Sequence, residues 1–213
     1  MASPALKEIS VKQREFKDGT PLPIQRGVLG KPDVFLVRTG EGSAVVKDVG
    51  KKPFLFKWTV GLWLIDREWK IYSRLKGLPG IPQPLKRINR FSFSISFVPA
   101  RPIHRGALLP PSFFKNLEKI LEGMHARGVV HLDLRHKGNI LISETGTPFL
   151  VDFNSGIHIQ KDWLRRALLP LLQWIDYGGI LKLKERVIPS SLTPGEQKIL
   201  NRINRLRKLW VFS

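Results

Sequence analysis

The chain has 213 residues, enough for one packed domain or two small lobes. Its 36 Lys and Arg against 17 Asp and Glu give a formal net charge of +19, which favours anionic partners such as nucleic acid, an acidic membrane leaflet or a phosphorylated glycolipid. Cysteine is absent, which excludes a disulfide framework, a thiolate nucleophile and a zinc–thiolate site.

Residues 1–20 are polar and charged, with an Asp18-Gly19 turn, and read as an N-terminal arm. Met1-Ala-Ser-Pro lacks the charged-then-apolar pattern of a signal peptide. The longest apolar-rich run, Phe54 to Ile65, is broken by Lys57 and is too short to span a bilayer. The expectation is a cytoplasmic chain, with peripheral contact at the inner face of a membrane left open. Leu22 to Val28, Asp33 to Arg38 and Ser43 to Val49 read as three short strands. Between the first two, Gly27-Val-Leu-Gly30 lacks the G-x-G-x-x-G form, so these glycines either make a turn or approach a phosphate.

A helix is expected from about Trp58 to Lys76. Trp58, Leu62, Ile65, Trp69 and Tyr72 recur at helical spacing as one apolar stripe, with Leu64, Glu68, Ile71 and Leu75 in the neighbouring row. Glu68 therefore sits on the apolar side, where a carboxylate costs free energy unless paired; the alternative places it at the stripe's edge in water. Gly77-Leu-Pro-Gly-Ile-Pro-Gln-Pro84 ends the helix. Strands near Leu85–Asn89 and Phe91–Val98 follow, the second alternating Phe91, Phe93, Ile95 and Phe97 with serines, the mark of one buried face. Val98-Pro-Ala-Arg-Pro102 reads as a crossover.

The next helix, Ser112 to Arg127, turns Phe113, Leu117, Ile120, Leu121 and Met124 inward, with Ser112 placed to cap its start and Gly128 its end. Gly128-Val-Val130 then enters the polar stretch His131-Leu-Asp-Leu-Arg-His-Lys-Gly-Asn139. Two apolar strands, 140–142 and 149–151, flank the hairpin loop Ser143-Glu-Thr-Gly-Thr-Pro148. Pairing symmetric about the middle of that loop sets Asn139 opposite Asp152, and directly opposed residues share a face. An amide oxygen beside a carboxylate suits a hard cation such as Mg²⁺, which takes oxygen ligands and keeps waters for phosphate to displace. With Asp133 just upstream, one carboxylate is available for a proton and another for a metal, a phosphoryl-transfer layout.

Beyond Asn154 a helix around Asp162–Asp176 carries Pro170 as a kink, and Gly178-Gly179 is expected to break it from a second helix, Ile180 to Val187. Thr193-Pro-Gly-Glu196 is a capping box opening a last helix, with Ile199, Leu200, Ile203, Leu206 and Trp210 on one side and basic residues around the rest. That helix suits a membrane or nucleic-acid surface, or core packing with a solvated face.

Taken together, His131, Asp133, Asn139 and Asp152-Phe153 make the chain resemble the protein-kinase-like fold, with its H-x-D catalytic loop and Asp-Phe-Gly-like motif. The resemblance implies ATP as phosphoryl donor and Mg²⁺ as cofactor. In it Asp133 orients or deprotonates the acceptor hydroxyl, His131 orients the loop, and Asn139 and Asp152 hold metal. Arg135 stands two residues past Asp133, where protein kinases carry a lysine. Ser43-Ala-Val-Val-Lys47 has the strand context of the family's Val-Ala-Ile-Lys, which makes Lys47 the candidate phosphate-pairing lysine, Glu68 its ion-pair partner, and Gly27 and Gly30 the remnant of a glycine-rich loop.

Two departures stand out: five residues rather than four separate Asp133 from Asn139, and Asn154 replaces the motif's glycine. An activation segment and an Ala-Pro-Glu motif are also missing. Together with the small size, these features resemble the atypical bacterial branch near lipopolysaccharide (Kdo/heptose) kinases and RIO-like serine/threonine kinases. The implied fold is α+β, a minimal two-lobed kinase: an arm over residues 1–20, an N-lobe over 21–99 with a small antiparallel sheet and one long helix, and a mostly helical C-lobe over 100–213. The implied function is transfer of the ATP γ-phosphoryl group to a hydroxyl of an anionic acceptor, a glycolipid sugar or a protein Ser/Thr. The alternative is a pseudokinase or basic scaffold holding a membrane surface, nucleic acid or ribosome without turnover. Nucleic acid is the weaker partner, because the basic residues are not interleaved with aromatics in a recognition motif.

Overall fold

A computed structural model describes residues 21–27, 31–40 and 42–211; the expected arm over residues 1–20 and Gly30 lie outside them. The chain divides into two compact units at Arg101/Pro102. In the first, β1 (Leu22–Gln25), β2 (Asp33–Thr39), β3 (Gly42–Asp48), β4 (Pro84–Asn89) and β5 (Ser92–Ser96) form one antiparallel sheet in the order β1-β2-β3-β5-β4. The β3–β5 register sets Lys47 opposite Phe93 and Val45 opposite Ile95.

Both faces of β5 are buried, since Ser92 and Ser94 are as hidden as Phe93 and Ile95, and the one-sided burial expected from the alternation does not hold. An interior strand hides small residues at little cost when their hydroxyls are bonded, as Ser94 Oγ is, donating to the Lys86 carbonyl at 3.3 Å.

The helical segment starts earlier than expected, as α1 (Phe54–Phe56), passes through a π turn at Lys57–Gly61, and continues as α2 (Leu62–Arg74). A π turn inserts one residue and rotates what precedes it about the axis. The buried row is consequently Gly61, Ile65, Glu68, Ile71, Tyr72 and Leu75, while Trp58, expected inside, lies 40% exposed. Trp69 and Tyr72 pack on Phe93 with ring centroids 5.7 and 6.1 Å away, which seats α2 against β5.

A short strand, β6 (Ala100–Pro102), carries the chain into the second unit. There α3 (Phe113–Ala126) buries Phe113, Leu117, Ile120, Leu121 and Met124. Ser112 forms no side-chain cap, and Phe113 N–H bonds to the Pro110 carbonyl instead. Gly128, at φ +75°, reverses the chain into β7 (Val129–Val130), which pairs with β10 (Ile157–His158). Between them β8 (Ile140–Ser143) and β9 (Pro148–Leu150) form the hairpin.

Asp162–Val187 is one helix, α4, running through Pro170 and through Gly178-Gly179, where a break was expected. Both glycines are buried, and each meets a neighbour that a side chain would strike. A Cβ at Gly178 would lie 2.9 Å from Ile203 Cδ1, and one at Gly179 2.6 Å from Leu134 Cβ. Their smallness serves close packing, which outweighs their poor helix propensity. The capping box closes as read: Glu196 N–H donates to Thr193 Oγ1 at 3.2 Å and Thr193 N–H to Glu196 Oε2 at 2.7 Å, opening α5 (Pro194–Val211). Leu200 of α5 is fully buried; Leu206 and Trp210 of the expected stripe fall outside the described side chains. No helix among the described residues is long and apolar enough to cross a membrane.

Candidate active site

In the first unit, β3 and α2 deliver Lys47 and Glu68 to one another. Lys47 Nζ lies 2.5 Å from Glu68 Oε1, and the Glu68 side chain is completely buried. This geometry excludes both a solvent-facing Lys47 and a Glu68 reaching water. Arg67, next along α2, lies with its guanidinium 4.0 Å from the Trp63 ring centroid; burial lowers its pKa, against the opposing attraction of Glu68.

Gly27 is held in a turn. Its N–H donates to Asp33 Oδ1 at 2.8 Å, and its carbonyl accepts from Lys52 Nζ at 2.6 Å. A Cβ there would lie 2.1 Å from the Lys31 carbonyl oxygen, so only glycine permits this approach of the two backbone stretches.

In the second unit, β7 runs directly into the loop that begins at His131. Leu132 takes φ +66°, a left-handed conformation that costs a leucine about 1–3 kcal/mol unless its surroundings impose it. Asp176 of α4 imposes it. Its Oδ2 accepts the His131 N–H at 2.8 Å and its Oδ1 the Leu132 N–H at 2.7 Å, while His125 Nε2 donates to Oδ2 at 3.0 Å. Asp176 is wholly buried, so the loop's backbone is clamped by one carboxylate that water does not reach.

His131 is also wholly buried. Its Nε2 lies 3.0 Å from the Val151 carbonyl, which can only accept, and its Nδ1 lies 3.4 Å from the Asp133 N–H, which can only donate. The ring therefore carries its proton on Nε2 and ties β9's exit to the loop, with Phe153 packed against it at 4.7 Å. Both nitrogens serve the backbone, an orienting arrangement.

The hairpin register differs from the symmetric one expected. Ile140 pairs with Leu150, Leu141 with Phe149 and Ile142 with Pro148, centring the turn on Thr145. The loop is tighter than supposed: Ser143 N–H bonds to the Thr147 carbonyl, and Gly146 takes the left-handed conformation (φ +80°) that three-residue hairpin loops require. Asn139 consequently faces Val151, whose N–H bonds to its carbonyl at 3.0 Å, and Asp152 lies one residue beyond it. Asp152 itself adopts φ +64°, ψ +71°, turning the chain sharply into Phe153 and Asn154.

The extra loop residue does not separate Asp133 from Asn139. The Asn139 amide Nδ2 donates to the Asp133 carbonyl at 2.8 Å and to Asp133 Oδ2 at 3.0 Å. These bonds orient the Asn139 amide, leaving its Oδ1 on the side of His136, whose Nδ1 is 3.3 Å away. The same Nδ1 lies 3.3 Å from the Gly138 N–H, so it serves one neighbour or the other according to its tautomer. Arg135, between Leu134 and His136, is partly exposed.

Among the described residues no three His, Cys, Asp or Glu converge as a self-sufficient metal cage. Asn139 and Asp152 offer one amide oxygen and one carboxylate, a donor set that fits a hard divalent cation completing its shell with water and phosphate oxygens.

Sequence reasoning gave no role to Asp176, which reads there as a helix end, or to His125. The available signal was a lone carboxylate in the apolar run Leu168–Leu181, next to two glycines.

No family model and no curated relative matches the chain. Solved structures do: the Rio2 kinase from Chaetomium thermophilum superposes with a TM-score of 0.56 at 19% identity, covering 82% of this chain and 60% of that one. The ADP/Mg²⁺-phosphoaspartate complex of the same kinase gives 0.54 at 20% identity, covering 83% and 60%. The chain thus spans about three-fifths of the length of these neighbours. At this identity the likeness shows the fold, which is protein-kinase-like: α+β, with an antiparallel-sheet N-terminal unit and a mostly helical C-terminal unit.

Proposed function

We propose that this chain is an ATP- and Mg²⁺-dependent phosphotransferase that moves the γ-phosphoryl group to a hydroxyl of an anionic acceptor. The observation that carries the reading is the Asp133–Asn139 contact: Asn139 Nδ2 holds both the carbonyl and Oδ2 of Asp133 in spite of the additional loop residue. One Asp133 oxygen is thereby fixed while the carboxylate keeps lone pairs for an acceptor hydroxyl, the position a general base or orienting group needs. Asn139 Oδ1 and the Asp152 carboxylate would hold Mg²⁺, whose contribution when bound is to neutralise charge on the phosphates. Lys47, fixed by Glu68, would meet the nucleotide phosphates, and Arg135 would offset charge near the acceptor. A net charge of +19 fits an anionic acceptor, a glycolipid sugar or a protein Ser/Thr being the two candidates. The neighbouring Rio2 structure in complex with ADP and Mg²⁺ supports the choice of nucleotide and metal.

Two aspartate variants test the division of labour. Asp152→Asn should abolish the Mg²⁺-dependent part of ATP binding, read as the difference in ATP-induced thermal stabilisation with Mg²⁺ and with EDTA. For the unaltered chain that stabilisation is about 2.7 kcal/mol when ATP stands at a hundredfold its dissociation constant. Asp133→Asn should leave ATP binding intact while phosphate transfer to fractionated cell extract falls about 10²–10⁴-fold. If neither substitution alters ATP binding or transfer, the phosphotransferase reading fails, and a non-catalytic scaffold takes its place.

A further inference from the structure

The first unit carries an apolar surface that the phosphotransferase reading does not use. Within ten residues of the α1–π turn–α2 segment, Phe54 (74% exposed), Leu55 (76%), Trp58, Val60 and Trp63 (57%) all reach solvent. Exposed clusters of this kind mark interaction sites rather than chance. The π turn adds Trp58 to this one, because an uninterrupted helix would turn Trp58 inward with Ile65 and Tyr72.

Cations surround the cluster. Lys57 Nζ lies 5.9 Å from the Trp58 ring and 5.1 Å from that of Phe91, the Arg90 guanidinium is 5.3 Å from Trp58, and Arg67 is 4.0 Å from Trp63. Asp66 answers Lys70 at 2.7 Å, and no other exposed carboxylate lies between Lys51 and Arg74.

We propose that the segment from Phe54 to Trp63 is a peripheral membrane anchor, laying its apolar side chains into the interface of a bilayer that carries anionic phospholipid. Charge complementarity selects this occupant. Two copies of the chain meeting through this face would bring Lys57, Arg67 and Arg90 against their equivalents. A nucleic acid would need open ring faces for stacking, whereas Arg67 covers a face of Trp63, and Trp58 has Arg90 beside it and Phe91 edge-on at 5.0 Å. Phe54, Leu55 and Val60 offer a base nothing to hydrogen-bond, but they suit the acyl boundary. Tryptophan beside Lys and Arg is the composition of interfacial helices.

The test is co-sedimentation of the full chain with vesicles of phosphatidylcholine alone and of phosphatidylcholine mixed with phosphatidylglycerol. The chain should sediment with the mixed vesicles, less so as salt rises. Phe54→Ser with Leu55→Ser should lower the partition coefficient at least about tenfold without shifting thermal unfolding, since both side chains are exposed. Lys57→Glu with Arg90→Glu should lower it about fivefold or more per reversed charge, and supplies an independent readout. Undiminished sedimentation of both variants overturns the proposal. So does failure of the unaltered chain to sediment with mixed vesicles; loss of single-stranded oligonucleotide binding, or of a concentration-dependent dimer, in the same variants would then assign the surface to nucleic acid or to a second copy.

Discussion

Two carboxylates, one in each unit, are completely buried beside the candidate catalytic residues, and they are satisfied in different ways. Glu68 is met by a side-chain cation, Lys47 Nζ at 2.5 Å. Asp176 is met by two backbone N–H groups and a histidine ring. A cation partner is written in the sequence as a residue type; a backbone donor is not, since nearly every residue has one. That is why Glu68 could be read from the helix wheel as a charge in need of a partner, whereas Asp176 could not be assigned. The two modes also do different things. Lys47–Glu68 joins two elements, β3 and α2, while Asp176 holds a strained stretch of chain, His131 and Leu132, in the one conformation that carries Asp133.

The contrast is broken most forcefully at Asp176. Asp176→Ala leaves three buried donors without an acceptor, and the expected loss is about 3–5 kcal/mol of stability by chemical denaturation. Asp176→Asn should be milder yet still harmful, because an amide turns an NH₂ toward donors. If the clamp is local to the loop, hydrogen exchange at the His131 and Leu132 amides should accelerate in the Asn variant more than exchange in α3. Uniform acceleration throughout the unit would show that Asp176 serves general stability and not the loop.

The cation-paired case should respond differently to repair. Lys47→Met removes the bonded cation from a buried carboxylate and should cost about 3 kcal/mol. Adding Glu68→Leu removes that buried charge as well and should return most of the loss, while any nucleotide binding that depends on Lys47 stays lost. The strong non-additivity expected of a direct pair is the readout. Additive losses would mean that the contact at 2.5 Å does not couple the two residues energetically.

These cases show how far the sequence could be read. Period and turn residues located the strands of the first unit's sheet, the hairpin and most helix faces, and the kinase resemblance singled out His131, Asp133, Asn139 and Asp152, because burial periodicity and residue type are local properties of the chain. The hairpin register was misjudged by one residue, since it depends on Gly146 adopting φ +80° and closing a tighter loop, a backbone choice that composition does not announce. The π turn at Lys57–Gly61 likewise has no residue signature, and it moved Trp58 from the core to the surface. Gly178-Gly179 was read through local propensity as a helix break, whereas tertiary packing sets its role.

That packing sharpens the comparison, because Gly179 lies three residues beyond Asp176 on the same side of α4 while Gly178 packs on Ile203 instead. Gly179→Ala places a methyl 2.6 Å from Leu134 Cβ and 3.0 Å from its carbonyl carbon, so the backbone of the 131–139 loop must give way; a cost of about 1–3 kcal/mol is expected. Gly178→Ala meets Ile203 Cδ1 at 2.9 Å, the end of a side chain that can swing, and the roughly 1 kcal/mol gained in helix propensity should bring it close to neutral. Equal effects at the two positions would argue against a tight α4–loop contact. Thermal unfolding of each single variant decides between them.

Glu196 combines both modes outside the buried core. Its carboxylate takes Lys184 Nζ at 2.7 and 2.9 Å and the Thr193 N–H at 2.7 Å. Burial opposes its ionisation, but the bonds from Lys184 and Thr193 together outweigh that cost, and its pKa falls below the usual glutamate value. A depressed carboxyl pKa contributes stability that is fully present above the unfolded-state value and is lost as pH falls through the folded-state one. The stability gap between the unaltered chain and Glu196→Gln should therefore be constant near neutrality and close on acidification. Glu118, also near Lys184, behaves oppositely: burial above all, with repulsion from Glu196 and Glu122, raises its pKa against the pull of Lys184. Its ionised form is disfavoured in the folded state, so Glu118→Gln should stabilise the chain at neutral pH, and that gain should vanish as pH falls below the ordinary glutamate range. Urea denaturation of the three proteins from acid to neutral pH measures both trends. Effects of the same sign at neutral pH would mean that Lys184 and the Thr193 amide do not discriminate between the two glutamates as their bonding requires.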